Sequence, residues 1–391
     1  MPNTFQILIL NQISANGLKR LPTERYTTGK EIKAPDAVLV RSADMHKLDI
    51  PASVRAIGRA GAGTNNIPVK AMTARGVPVF NAPGANANAV KELVLAGMLL
   101  AARNLRGAMD FVGALDPADA EMEKKVEDGK KTYAGYELAG RTLGVIGLGK
   151  IGCLVADAAI KLGMNVLGFD PEITVDAAWS LPSQVRRAGS VNEVLRSAQF
   201  VTLHVPLLDA TRNLISAGNI GLMRPGAVLM NFSREGIVAD EAAIESLDAG
   251  HLGRYVCDFP APALLRHPKV IALPHLGAST AEAEENCAVM AANQLVDYLE
   301  HGNVTNSVNF PAVRMDRAPG ASRITFSNDN VAGVLGQVLS VLAERQVNVI
   351  DMMNKSRGEL AYNIIDVDGA PDPAVTAAIQ AVPHVIRVRV V

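Results

Sequence analysis

Gly147, Gly149 and Gly152 stand in the spacing G-x-G-x-x-G, and an acid, Asp170, follows eighteen residues after the last of them. That set can hold a dinucleotide, and each residue type has a task. Gly147 permits a tight turn, Gly149 lets backbone approach a pyrophosphate, and Gly152 lets a helix lie close against a strand. The helix N-terminus that follows offers free N–H groups and a partial positive charge to phosphate oxygens. Asp170 would accept hydrogen bonds from ribose hydroxyls and repel a 2′-phosphate, which favours NAD over NADP. Glycines also cluster in plain loops, so the flanks decide. An apolar run at 143–146 precedes the glycines, a helix pattern follows to about Gly163, and a second apolar run closes at Asp170. Strand, glycine turn, helix and strand in about thirty residues make one dinucleotide-binding crossover.

The rest of the chain bounds the answer. Its 391 residues suffice for two or three domains, and 49% hydrophobic residues, 20% charged residues and a net charge of −1 describe a globular protein. No basic stripe is visible, which argues against a nucleic-acid partner. The start, MPNTFQILIL, has no positively charged region ahead of its apolar run, so no signal peptide is expected. The longest apolar run, 93–102, lies between Glu92 and Arg103 and is about half a membrane span, so it reads as a buried helix with no membrane partner. Cys153, Cys257 and Cys287 are far apart and lack ligand spacing, which implies reduced structural thiols, a cytoplasmic location and no metal site. Redox chemistry by an organic cofactor is the expectation.

The elements that must position this chemistry follow a regular alternation. Strands expected at 6–10, 37–41, 54–58 and 77–80, joined by polar or helical connections, imply a parallel sheet with helices on its faces. Near its strand ends sit Arg41, Ser42, the turn Gly61-Ala62-Gly63, and Asn86 in NAPGANANAV. N–H groups in such a turn could hold a carboxylate, or the glycines could serve the turn alone; both readings stand. A helix at 89–103 crosses to a second sheet, with strands at 200–204, 227–232, 255–259 and 270–273 completing a doubly wound Rossmann pattern. A helix at 280–301 is expected to return the chain to the first domain, and 302–320 reads as a linker. Beyond it, strand 322–326, helix 333–345, strands 348–355 and 359–367, helix 373–381 and strand 385–391 spell βαββαβ, a ferredoxin-like unit. It carries no nucleophile and no acid–base pair, so its expected role is regulation or assembly.

GLGKIG with Asp170, LHVPL around His204, NFSREGIVAD around Arg234 and LPHLGAST around His275 together resemble the D-isomer-specific 2-hydroxyacid dehydrogenases over nearly the whole chain. The C-terminal run NDNVAGVLGQVLSVLAERQVNVIDM resembles an ACT domain. The resemblance implies an α/β chain: a flavodoxin-like substrate domain (1–90 with 280–310), a Rossmann NAD-binding domain (91–279) and an ACT regulatory domain (320–391). It implies NAD as cofactor and a small 2-hydroxy acid as substrate. Oxidising such an acid needs a cation for the carboxylate, a base for the hydroxyl proton and a hydride acceptor held in register. Arg234, with a planar fork, matches the first role, and His275, an imidazole, the second. Asp258 matches the family's contact to the nicotinamide carboxamide. Lys150, Ile151, His204, Val205, Pro206, Thr211, Phe232, Ser233 and Gly277 match further cofactor contacts; Arg41, Ser42, Ala62, Gly63 and Asn86 would join Arg234 on the substrate. Without these motifs, Arg234 would read as a solvated charge, Asp258 as a turn residue and His275 as a packing histidine.

Two departures stand out. The family places a glutamate where this chain has Pro262, and no acid lies between Asp258 and His275. A carboxylate there would orient the imidazole and stabilise its protonated form, so His275 is expected to serve as base for oxidation and to be weaker as acid for reduction. In the ACT-like unit the turn Asn330-Val331-Ala332-Gly333 replaces N-R-P-G. Asn328, Asn330 and Asn348 match effector positions, and neutral amides can hold an amino-acid zwitterion such as L-serine; alternatively the unit serves only to join subunits. A homodimer or homotetramer is implied. A hydroxypyruvate or glyoxylate reductase, and an NAD-responsive regulator with weakened catalysis, stay open as other readings.

Overall fold

The computed structural model describes residues 4–391 and divides into two units, one running up to Asn86 and resuming over Ala281–Val391, the other Ala87–Thr280. The first three residues of the expected non-signal N-terminus lie outside the described residues.

In the first unit, β1 (Phe5–Leu10), β2 (Tyr26–Gly29), β3 (Ala37–Val40), β4 (Ala56–Arg59) and β5 (Val79–Phe80) form one sheet in the order β2-β1-β3-β4-β5, with every pair parallel. This is the flavodoxin-like order. β3 reads AVLV and all four residues are buried, as a strand covered on both faces requires. β2 escaped the sequence pattern because its YTTG is half exposed and carries one apolar residue. The long helix Ala281–His301 supplies Ala288, Ala291 and Leu295 to the same core.

The segment expected to be a linker is instead packed. Val304, Phe310 and Val313 are fully buried, Val304 and Val313 exchange backbone hydrogen bonds of 2.7 and 3.0 Å, and Asn309 Oδ1 accepts the Val79 N–H at 2.8 Å. Its apolar residues follow no helical or strand period, so the pattern rule saw only its turn residues. It straps the β5 edge through a bridge between Phe80 and Ser307.

The second unit holds β6 (Thr142–Ile146), β7 (Asn165–Phe169), β8 (Arg186–Arg187), β9 (Phe200–Leu203), β10 (Val228–Asn231), β11 (Arg254–Cys257) and β12 (Val270–Ala272). Their order is β12-β11-β10-β9-β6-β7-β8, all parallel. The strand order reverses between β6 and β9, and such a switch point opens a crevice at the carboxyl ends of the strands. β8, only Arg186–Arg187, had no apolar signal.

The C-terminal domain of the first unit pairs β13 (Ser322–Asp329), β14 (Val349–Arg357), β15 (Leu360–Val367) and β16 (Val385–Val390) antiparallel in the order β14-β15-β13-β16. Helices Val334–Glu344 and Pro373–Gln380 cover Ile324, Phe326, Ile365 and Val367. The other face sends Leu360, Tyr362 and Ile364 into the core of the flavodoxin-like sheet. All eight residues of β15 are therefore buried. Arg323 and Asp366, both fully buried, pair through two bonds of 2.6 and 2.8 Å, and the remaining guanidinium nitrogen donates to the His301 and Met315 carbonyls. The three cysteines are buried and form no disulfide, and among the described residues no helix is long and apolar enough to cross a membrane.

Candidate active site

The glycine turn after β6 meets all three demands made of it. Gly147 has φ +92°, and a Cβ there would lie 2.5 Å from the His204 carbonyl oxygen. A Cβ on Gly152 would fall 2.0 Å from the Gly147 carbonyl oxygen, so the helix Lys150–Lys161 can seat only with glycine there. Gly149 is different: the space beside its Cα is open for 4 Å. Among the described residues no side chain caps this helix, and the first N–H groups of a helix have no partner within it. Lys150 and Ile151 are its first two residues. Asp170 is held at the end of β7, accepting the Leu148 N–H at 2.8 Å and the Glu172 N–H at 2.9 Å. A carboxylate has about four acceptor positions, so lone pairs are left for ribose hydroxyls. The residues present fit an adenine dinucleotide.

Across the switch point, His204 follows β9. Its Nε2 lies 3.0 Å from the Thr202 hydroxyl, while Nδ1 is buried with no hydrogen-bond partner among the described residues. Burial pushes its pKa down to about 3, so the ring is neutral at working pH. Val205 and Pro206 continue the loop, which Thr211 closes by donating to the Pro206 carbonyl and accepting the Leu208 N–H at 2.8 Å. Phe232 is a core residue and the Ser233 hydroxyl donates to the Leu203 carbonyl at 2.6 Å, so both turn their side chains inward and leave backbone for a ligand.

β10 and β11 are neighbours, with Asn231 opposite Cys257, and their following loops carry the reactive groups. Arg234 is exposed, rests one Nη on the Ser233 carbonyl at 2.6 Å and makes no ion pair among the described residues. Asn231, which the sequence did not single out, shapes that loop: its amide accepts the Ser233 N–H at 3.1 Å and donates to the Arg234 carbonyl at 2.9 Å. An asparagine ending a strand just before a turn was the available signal.

Asp258 follows β11 and is buried. Its two oxygens accept the Leu276 and Gly277 N–H groups, each at 2.7 Å, and its carbonyl accepts the His275 N–H at 3.1 Å. Burial holds its pKa above the usual carboxylate range, against the opposing pull of those N–H groups. Asp258 thus clamps the loop that presents His275. That residue sits at φ +57°, a region side chains enter at a cost of roughly 1–2 kcal/mol, with its exposed ring 4.9 Å from that of Phe259. No carboxylate pairs with the ring among the described residues, and Pro262 begins a short 3-10 turn, Pro262–Leu264.

In the first unit, Arg41 leaves the carboxyl end of β3 and pairs with Glu284 in the first turn of Ala281–His301. The Ser42 N–H donates to Asn11 Oδ1 at 3.1 Å, and the Ala62 carbonyl accepts the Asn81 amide at 2.6 Å. Gly63 and Asn86 are half-buried in the loops beyond β4 and β5. A second arginine, overlooked in the sequence, joins them: Arg59 ends β4, and a Cβ on Gly61 would lie 1.5 Å from its guanidinium. An arginine two residues before a glycine turn was the clue.

The three effector asparagines do not converge. Asn328 is buried within β13, with its amide engaged by Asp329 and Asn363 at 2.7 and 2.8 Å. Asn330 lies at the Leu360 end of the sheet, donating to the Gly358 carbonyl at 3.0 Å, whereas Asn348 precedes Val349, which pairs with Val367 at the other end. About seven strand residues, roughly 25 Å, separate the two ends.

Residues 105–277 match the model of the D-isomer specific 2-hydroxyacid dehydrogenase NAD binding domain, and 322–384 that of the ACT domain. A protein of Haemophilus influenzae named D-3-phosphoglycerate dehydrogenase is 33% identical over 346 residues, 86% of this chain and 80% of its own length. The chain belongs to the D-isomer specific 2-hydroxyacid dehydrogenase family. Escherichia coli D-3-phosphoglycerate dehydrogenase is 34% identical over 85% of this family member and 80% of its own length. The Methanocaldococcus jannaschii protein of that name is also 34% identical over 86% of the chain, which spans 63% of that relative. Among solved structures, the NAD+-bound 3-phosphoglycerate dehydrogenase of Entamoeba histolytica superposes with a TM-score of 0.61 at 25% identity, covering 78% of this chain and 99% of its own. The second unit of this dehydrogenase is thus the family's NAD-binding domain, and its C-terminal domain is an ACT domain.

Proposed function

We propose that the protein oxidises D-3-phosphoglycerate to 3-phosphohydroxypyruvate with NAD, the first step of L-serine synthesis. The observation that carries this reading is the joining of the family's NAD-binding domain and an ACT domain in one chain that aligns, at 33–34% identity over 85–86% of its length, with proteins named for that activity. Arg234, exposed and free of carboxylates, holds the substrate carboxylate and polarises the 2-oxygen. His275 removes the hydroxyl proton as general base, and Asp258 keeps its loop in place from below. NAD, when bound, accepts the hydrogen of C2 as hydride. Gly147, Gly149 and Gly152 admit its pyrophosphate, and Asp170 takes its ribose. Arg41, Ser42, Ala62, Gly63 and Asn86 contact the substrate, and Arg59 adds a second cation at the edge where Arg41 stands.

The pairing of Arg41 with Glu284 favours a second reading. It leaves less net charge for a phosphate and suits a smaller substrate such as hydroxypyruvate or glyoxylate. For the ACT domain the effector is an amino acid, L-serine. With Asn330 and Asn348 at opposite ends of one sheet, a site using both needs two chains, which supports a homodimer or homotetramer. Three buried cysteines, none of them in a disulfide, support a cytoplasmic location.

The test is NADH formation from 3-phosphoglycerate with the product trapped, with and without serine, beside reduction of hydroxypyruvate and 2-oxoglutarate. Turnover that disappears in Arg234→Ala supports the dehydrogenase assignment. If hydroxypyruvate is reduced and 3-phosphoglycerate is inert, the second reading replaces the first; no turnover of any 2-hydroxy acid would sink both.

A further inference from the structure

The amino-terminal edge of the NAD-binding sheet holds a cavity of about 360 Å³ that none of the roles above uses. Its walls include Arg106 and Asp110 of the helix Leu105–Gly113, Tyr133, Arg254 at the start of β11, and Arg266 and His267 in the loop before β12. The glycine turn, Arg234 and Asp258 all follow the carboxyl ends of strands, so this cavity lies at the opposite edge of the same sheet.

Its charge is unbalanced. Among the described residues none of the three arginines has a carboxylate within ion-pair distance. Arg254 donates to the Asn104 amide oxygen at 2.7 Å and Arg106 to the Val270 carbonyl at 3.3 Å, so neutral acceptors fix their direction without cancelling their charge. His267 faces Asp248, which lies outside the lining, at 3.2 Å, and among the described residues Asp110 is the one acid that lines the cavity. Arg266 sits at φ +69°, a backbone state uncommon for a side-chain-bearing residue. Like charges gathered around one concavity raise the local concentration of counter-ions, and guanidinium forks match phosphate and carboxylate oxygens in pairs. The volume is at the small end of ligand sites.

We propose that this cavity binds a small, multiply charged oxyanion, a phosphate compound or a polycarboxylate, at a site separate from the nucleotide. The test is isothermal titration of the whole protein, saturated with NADH and at fixed ionic strength, with pyrophosphate and with citrate as probes. The expected result is saturable binding of one probe at one site per chain, weakened at least ten-fold in both Arg106→Gln and Arg266→Gln, while NADH affinity and thermal stability are retained. The tighter probe identifies the oxyanion. Three outcomes overturn the proposal: neither probe binds, both variants bind as the parent does, or light scattering shows that the variants change the number of subunits, which makes the cavity a subunit contact. Because the readout is binding in the presence of NADH, a failure here is distinguishable from a failure of the proposed oxidation.

Discussion

Replacing Asp366 by asparagine tests how the ACT domain is held. The substitution keeps the shape and one acceptor but strands the fully buried Arg323 without its counter-charge. Arginine cannot shed its proton, and breaking a buried pair from one side costs about 3–5 kcal/mol. In Arg323→Met the survivor is a carboxyl that can take up a proton. There the His301 and Met315 carbonyls lose their donor at every pH, but the charge penalty is escapable. The signs therefore differ. In the parent, burial alone would raise the Asp366 pKa, yet Arg323 and the Ala318 N–H hold it below the usual carboxylate value. The stability it contributes is thus complete above the unfolded value of about 3.9 and is lost as pH falls through the lower folded value. With Arg323 gone, burial prevails and the folded value rises above the unfolded one, so acid relieves the variant. The deficit of Asp366→Asn is expected to stay near 3–5 kcal/mol from pH 8 to 5, and that of Arg323→Met to shrink over the same range. Two units need not melt in one transition, so the assay is amide hydrogen exchange in β13 and β15. A loss under about 1 kcal/mol in Asp366→Asn, or the same pH dependence in both variants, refutes the reasoning.

Other expectations follow from the second unit. Since the folded pKa of His204, about 3, lies below its unfolded value, its contribution is complete above about pH 6.5 and falls by about 1.4 kcal/mol per unit as acid is added towards pH 3; urea midpoints against pH should show this slope, flattened in His204→Asn. Gly149→Val meets open space and an ordinary φ of −74°, so stability is expected to hold within about 0.5 kcal/mol while NADH affinity drops on titration. Gly152→Ala, with its Cβ forced to 2.0 Å from backbone, is expected to cost about 1–3 kcal/mol of stability as well, read from thermal unfolding. Pro262→Glu is expected to raise keto-acid reduction at neutral pH by supplying the missing carboxylate; an unchanged acid limb in the pH–rate profile would count against that role for the position.

Much of this was legible in the chain because local chemistry dictated it. Gly147 and Gly152 each meet a backbone oxygen that no Cβ could clear, so the fingerprint and the geometry are one constraint. Strands such as β3 and β9, buried throughout, announced themselves as apolar runs. What escaped depended on distant partners. β2 and β8 are edge strands with little apolar signal. The strap containing Val304, Phe310 and Val313 is set by the β5 edge and core it joins, not by a period of its own. Arg59 stands two residues before the glycine turn, but its approach to Gly61 depends on the fold of that turn. The separation of Asn330 from Asn348 follows from register, which residue types alone do not specify.

The placement of Leu360, Tyr362 and Ile364 in the flavodoxin-like core has a consequence for synthesis on the ribosome. β1 to β5 are made first, yet the helix that covers them begins at Ala281 and their last core residues arrive later still. At typical translation speeds the intervening second unit takes roughly ten to forty seconds to emerge, long enough to fold while its elder neighbour waits. During that interval the face of β1 and β3 that carries Ile7, Ile9, Ala37 and Leu39 lacks its covering helix, so the second unit can complete its core before the first, opposite to their order in the gene.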